Sequence, residues 1–256
     1  MKRMRDWMTG CGLAGVVLLG ASPSWAQEEG LWKGNLELSY LQTSGNTSST
    51  TLAAGGKAER ALDRAKLTGE FLAIYGEKET VASDKNWMGR LKYDRFVSSR
   101  AFAYLAETVE RNVLKGVEIR YTTQAGMGYE FIKTPSDLLK GELGVGYIRE
   151  NPIALDPTDT TPPIDPLHDL GYMTGRAYGE YNHAFDDKTR FLQTAEYLPG
   201  LKGGVGFLAK EESSFITNLM GNFAWKVSYA VLYDSDPPAG FTRYDRVFKT
   251  SLLYTF

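Results

Sequence analysis

From Lys33 to the carboxyl terminus, apolar and polar side chains alternate with a period of two. Lys66, Thr68 and Glu70 share one parity, while Leu67, Gly69, Phe71, Ala73 and Tyr75 share the other. The pattern returns with Arg90, Lys92 and Asp94 against Trp87, Leu91 and Tyr93, and with Glu118, Arg120, Thr122 and Gln124 against Tyr121, Ala125, Met127 and Tyr129. Lys140 and Glu142 oppose Leu143, Val145 and Tyr147; Lys249 and Ser251 oppose Phe248, Leu252, Tyr254 and Phe256. Period two is the signature of strands with two unlike faces. No stretch of comparable length carries a helical stripe, so the expectation is all-β.

The breaks predict twelve antiparallel strands near 33–42, 49–60, 65–76, 86–97, 100–110, 118–131, 138–150, 171–184, 189–199, 211–222, 226–234 and 243–256. Most exceed the five or six residues of an ordinary globular strand and match the roughly 9–11 that a tilted strand needs to cross a bilayer. Short connections fall at 61–64, 98–99, 133–137, 186–188 and near Ala224, whereas long ones fall at 77–85, 111–117, 151–170, 200–210 and 235–242. Short turns at one end and long loops at the other describe an up-and-down transmembrane barrel. The connection 43–48 is short although it belongs to the long-loop end. A closed barrel pairs every backbone group within hydrocarbon, and placing charges on one parity keeps them off the lipid face, where Lys or Arg near the midplane costs roughly 2–4 kcal/mol. The competing reading is a soluble periplasmic barrel that binds a ligand, with its apolar parity turned inward.

The first residues add a destination. Lys2, Arg3 and Arg5 precede an apolar run from Gly12 to Ala21, followed by Ser24-Trp25-Ala26. This is the pattern of a cleaved secretory signal peptide over 1–26, leaving 27–256 as the barrel. The run is too short for the roughly 20 residues of a spanning helix. Phe248, Leu252, Tyr254 and Phe256 then resemble the terminal signal that outer-membrane barrels present to their assembly machinery. Outer-membrane lipids, that machinery and periplasmic chaperones are the partners this implies, and small solutes are possible passengers.

Composition narrows the chemistry. Lys plus Arg number 29 against 31 Asp plus Glu, which excludes a general basic field for nucleic acid. The one cysteine, Cys11, leaves no disulfide framework. No cofactor or metal site is implied. The aspartates Asp156, Asp159, Asp165 and Asp169 sit among prolines in 151–170 without calcium-loop spacing, and Gly203-Gly204-Val205-Gly206 lacks the Lys-Ser of a phosphate loop.

The stretch WKGNLELSYLQTSGNTSSTT at Trp32–Thr51 resembles the opening of the YdiY-like family of salt-induced outer membrane proteins, a domain of unknown function. NWMGRLKYDRF at Asn86–Phe96, FLQTAEYLPG at Phe191–Gly200 and the segment Tyr233–Phe256 are similar to it as well, so the resemblance spans roughly 31–256. Loop 151–170 is longer than the compact family pattern. The resemblance implies an outer-membrane location and a link to salt or osmotic adaptation, and it supplies no catalytic residues.

Only His168 and His183 could serve as catalytic imidazoles. A hydrolase needs a nucleophile and an orienting acid within hydrogen-bond reach of its base. His183 has no serine two residues away on its face, and His168 lacks a second acidic pair, so the expectation is a non-enzyme. The inward parity is where function is legible. It carries Lys66, Arg90, Lys92, Arg120, Lys140, Arg176 and Lys249, against Glu70, Asp94, Glu107, Glu118, Glu130, Glu142, Glu180 and Glu196. Such balance predicts charges paired across a narrow, weakly selective bore or a closed, envelope-structural one; twelve strands lie between a filled interior and an aqueous channel.

Overall fold

The computed structural model describes residues 31–44, 49–75, 85–112, 117–152, 170–202, 206–237 and 242–256. The expected leader at 1–26, residues 153–169 of the 151–170 loop with its four aspartates, and His168 lie outside them.

Among the described residues, twelve strands follow one another: β1 (Trp32–Ser44), β2 (Ser49–Leu62), β3 (Ala65–Tyr75), β4 (Lys85–Phe96), β5 (Ala101–Asn112), β6 (Val117–Lys133), β7 (Asp137–Pro152), β8 (Leu170–Ala184), β9 (Thr189–Pro199), β10 (Phe207–Met220), β11 (Phe223–Asp234) and β12 (Tyr244–Thr255). Each pairs antiparallel with its neighbours in sequence, and β1 pairs with β12 to close the barrel. The closing seam runs from Asn35↔Thr255 to Ser44↔Arg246. At its lower end Gly34 and Phe256 exchange both backbone hydrogen bonds, at 2.9 and 3.0 Å. No edge strand is left to pair with another chain.

The faces are inverted relative to a soluble barrel. Leu38, Leu105, Met127 and Leu143 point outward, Leu143 with 70% exposure, while Ser39, Thr174, Arg176 and Glu142 are buried inside. A water-soluble barrel would expose the second set and bury the first. Only a lipid surround rewards this arrangement, so the soluble ligand-binding reading does not hold.

The start of β1, the end of β12 and five short connections lie at one end. Turn chemistry there is local: the Ser98 hydroxyl accepts from the Ala101 amide at 2.9 Å, the Thr134 hydroxyl from the Asp137 amide at 2.9 Å, and Asp186 from the Lys188 and Thr189 amides at 2.8 and 2.7 Å. Such side chains offer backbone N–H groups a substitute for the ladder. The β10–β11 turn departs from expectation. It falls at Gly221-Asn222 and not near Ala224, so β10 ends at Met220 and β11 begins at Phe223; β10 also starts earlier than expected, at Phe207. The cause is Gly221, whose φ of 56° suits a residue without Cβ.

Candidate functional site in the barrel interior

The side chains filling the bore come from the inward parity of almost every strand. Room is made by glycine: a Cβ on Gly128 would lie 2.2 Å from the Phe102 ring, and one on Gly144 would lie 2.4 Å from the Tyr104 hydroxyl. Phe102 and Tyr104 therefore lie inward against β6 and β7 and form an aromatic shelf.

Upon that shelf sits an ion-pair network centred on Glu142, whose side chain is 0% exposed. Lys92 Nζ lies 2.5 Å from Glu142 Oε1 and 2.9 Å from Asp94, and stands over the rings of Phe102 and Tyr104 at 5.3 and 5.0 Å. Arg176, 1% exposed, reaches the other Glu142 oxygen at 2.7 Å and Glu196 at 2.6 Å, its guanidinium between Tyr104 and Tyr178 at 5.1 and 4.9 Å. Lys140 lies 2.9 Å from Glu180 and 3.8 Å from Glu142. From Asp94 the chain of charges continues through Lys66 (3.8 Å) to Glu59 and Lys57, which faces Glu70 at 3.7 Å. Arg90 stands opposite Glu70 in register.

A second network lines the opposite wall. Lys249 meets Glu37 at 2.9 Å; Lys226 spans Glu37 and Glu212 at 3.8 and 3.4 Å; Lys210 lies 3.6 Å from Glu212. Ser251 donates to Glu37 at 2.6 Å and its hydroxyl is 2.9 Å from that of Ser39. A third cluster holds Arg120 between Glu110 (2.8 Å) and Glu150 (2.5 Å), near the long-loop end of β5–β7. Glu130 is buried and pairs with Lys133 at 2.6 Å.

Two expected members of the inward set do not join these networks. A bulge between Val117 and Ile119 makes Glu118 the extra residue of β6. It is turned outward, 51% exposed, beside Arg111 at 3.1 Å. Glu107 shares its parity with exposed Leu105 and accepts from Thr123 at 2.6 Å on the outer wall. Conversely Glu37, Lys57, Glu59, Glu110, Glu150, Lys210, Glu212 and Lys226 are interior charges beyond the expected set. For Glu37 the signal was present in the alternation of Leu36, Leu38 and Tyr40 around it.

The expected terminal signal lies on the outer face. Phe248, Leu252 and Phe256 are exposed, and Tyr254 meets Phe223 edge-on at 5.3 Å. His183 is also outside the bore. Its Nδ1 lies 2.8 Å from Asp137, which accepts from Tyr181 at 2.9 Å and from Ser136 at 2.7 Å. The serine therefore sits on the far side of the carboxylate, not beside the imidazole where a nucleophile must be. The His183 ring packs at 4.8 Å against Phe185, as in an interfacial aromatic belt.

An apolar exterior, a closed antiparallel wall and a charged interior define an outer-membrane β-barrel. The chain belongs to the family described as "Protein of unknown function, DUF481", whose model matches residues 36–256. It is 26% identical over 225 residues to "Uncharacterized protein YdiY" of Escherichia coli (strain K12), covering 81% of this chain and 76% of that protein. Among solved structures, the NanC porin matches with a TM-score of 0.58 at 6% identity, covering 86% of this chain and 100% of that one. An outer membrane channel from Pseudomonas putida F1 matches with a TM-score of 0.51 at 8% identity, covering 93% and 100%. At these identities the likeness is one of fold.

Proposed function

We propose that the protein is a narrow, weakly selective solute passage of the outer membrane, constricted by ion pairs. The observation that carries this is the bridge from Lys92 on β4 to Glu142 on β7, which skips two strands and crosses part of the interior. Away from the Glu142 hub the charged side chains of both walls keep partial exposure, Glu196 and Glu212 at 20% each against 0% for Glu142. A wet lane past the hub is the reading this supports. Both walls mix signs, and a mixed lining selects weakly, whereas a strong anion filter needs a ring of Arg and Lys.

Export by residues 1–26 and recognition of Phe256 by the assembly machinery, with chaperones in between, complete the reading. The same geometry supports a link to salt: the exposed pairs at Lys57 and Glu59 are screened by electrolyte, while the buried hub is much less so.

Planar-bilayer conductance of refolded protein tests the passage, with a heat-dependent gel shift confirming the folded barrel. Reproducible small steps with a reversal potential near zero in a salt gradient are expected. A folded, inserted protein that stays silent would overturn the passage and leave a closed envelope-structural barrel.

A further inference from the structure

The outer wall carries a polar cluster where the lipid face should be apolar. Glu211 accepts a hydrogen bond from the Gln193 amide; the Ser213 hydroxyl lies 2.8 Å from the same Glu211 oxygen and 2.6 Å from the Gln193 oxygen. All three share the outward parity of Phe215 and Tyr197. Toward the loop end stands an aromatic belt of Tyr197, Phe207, Tyr233 and Tyr244, linked by ring contacts of 5.1, 5.2 and 4.7 Å. Toward the turn end stands another, Phe185, Phe191 and Phe215, with contacts of 6.3 and 5.0 Å. The cluster lies between the two belts, at the depth of the hydrocarbon.

Beside it the wall is dented. Gly141, Gly179, Ala195 and Glu211 are successive register partners across β7–β10, and a concavity lined by Gly141, Ala177, Ala195 and Glu211 has a volume of about 850 Å³. A Cβ at Gly179 would meet nothing within 4 Å. Tyr129 and Leu143 stand up along one flank.

We propose that this wall docks a second copy of the chain, with the two Glu211–Gln193–Ser213 clusters meeting about a twofold axis along the membrane normal. Hydrocarbon offers Glu211 no donor, and polar groups at that depth pair with protein. The cluster is self-complementary. Glu211 Oε2 has no hydrogen bond among the described residues, and Gln193 keeps a second amide hydrogen, so each copy supplies the acceptor and the donor that the other needs. A twofold contact requires such a surface, and the dent beside a ridge lets the walls approach.

Mass measurement in lipid discs cut directly from the membrane tests this. The expected result is two copies per disc, reduced to one in the double variant Glu211→Leu, Gln193→Leu, with at least a tenfold rise in the dimer dissociation constant in detergent. Glu107→Leu, the same chemistry on another wall, leaves the mass unchanged. In a Cys11→Ser background, Ala195→Cys should cross-link to itself in the membrane and Leu105→Cys should not. The gel shift of each variant reports that the barrel itself is intact. One copy per disc for the unaltered chain means that lipid alone fills the dent, and overturns the proposal, as does equal cross-linking from both walls.

Discussion

Lys92 on β4 and Glu142 on β7 lie 2.5 Å apart although β5 and β6 separate their strands. The pair cannot be a neighbour contact of the ladder; it is a strut through the bore. Glu142 takes Lys140 and Arg176 as well, so one carboxylate, wholly buried, holds three cations.

Removing that carboxylate leaves like charges confined together. Breaking a buried pair by deleting one partner costs about 3–5 kcal/mol, and Glu142→Gln is expected to lower barrel stability by an amount of that order in urea titrations followed by the gel shift. The same variant should raise single-step conductance, because Lys92 is released from the strut. In Lys92→Met the conductance should rise too. Adding it to Glu142→Gln should cost less than the sum of the two, the mark of residues that share a contact. Additive losses would show that the strut is not a unit.

In the proposed passage the opposite wall is expected to set selectivity. Lys249 and Lys226 converge on Glu37, and there the side chains retain contact with water. Lys249→Glu is expected to move the reversal potential in a tenfold salt gradient clearly toward cations, with little effect on the gel shift. An unchanged potential would place the ion path elsewhere.

Much of this architecture was legible in the alternation, because a lipid-facing strand must sort its charges onto one parity. Where the expectation failed, both parities carried the same kind of side chain or an extra residue intervened. On β5 the inward residues Phe102 and Tyr104 are as apolar as the outward Leu105 and Val109, so Glu107 alone could not reveal its face. On β6 the bulge at Glu118 reverses parity without any mark in composition. Lys226 was hidden by the misplaced β10–β11 turn, which put it at a strand start, and Glu212 by the late expected start of β10 at 211, which put it beside a loop. On β2 the outer set Ala54, Gly56 and Ala58 is too small to announce a lipid face, which concealed Lys57 and Glu59. The strut itself was beyond reach, since parity places a side chain inside without saying which strand it meets.

The turn at 185–188 makes a prediction about pH. The Lys188 and Thr189 backbone amides donate to Asp186 and hold its carboxyl below the usual carboxylate range. A depressed pKa in the folded state means stabilisation that is complete above the unfolded value of about 3.9 and fades as pH falls through the lower folded value. Protection of the Thr189 amide against hydrogen exchange should accordingly be constant from neutral pH to about pH 4 and decline below it. Asp186→Asn retains an accepting oxygen and should show no such decline. A decline of equal size in both proteins would assign the effect to another group.

Phe256 closes the seam. Its amide donates to the Gly34 carbonyl at 3.0 Å, and its own carbonyl accepts from the Gly34 amide at 2.9 Å, while its ring is exposed to lipid. Two roles can be separated by two variants. Phe256→Ala keeps both backbone bonds and removes only the ring; deleting Phe256 removes the bonds too. If the ring is what the assembly machinery reads, Phe256→Ala should refold from urea into detergent with an unchanged gel shift yet reach the membrane several-fold less in cells. Deletion should then impair both. Loss of refolding in Phe256→Ala alone would instead make the ring a structural part of the seam, with its contact at Gly34 outweighing any part in recognition.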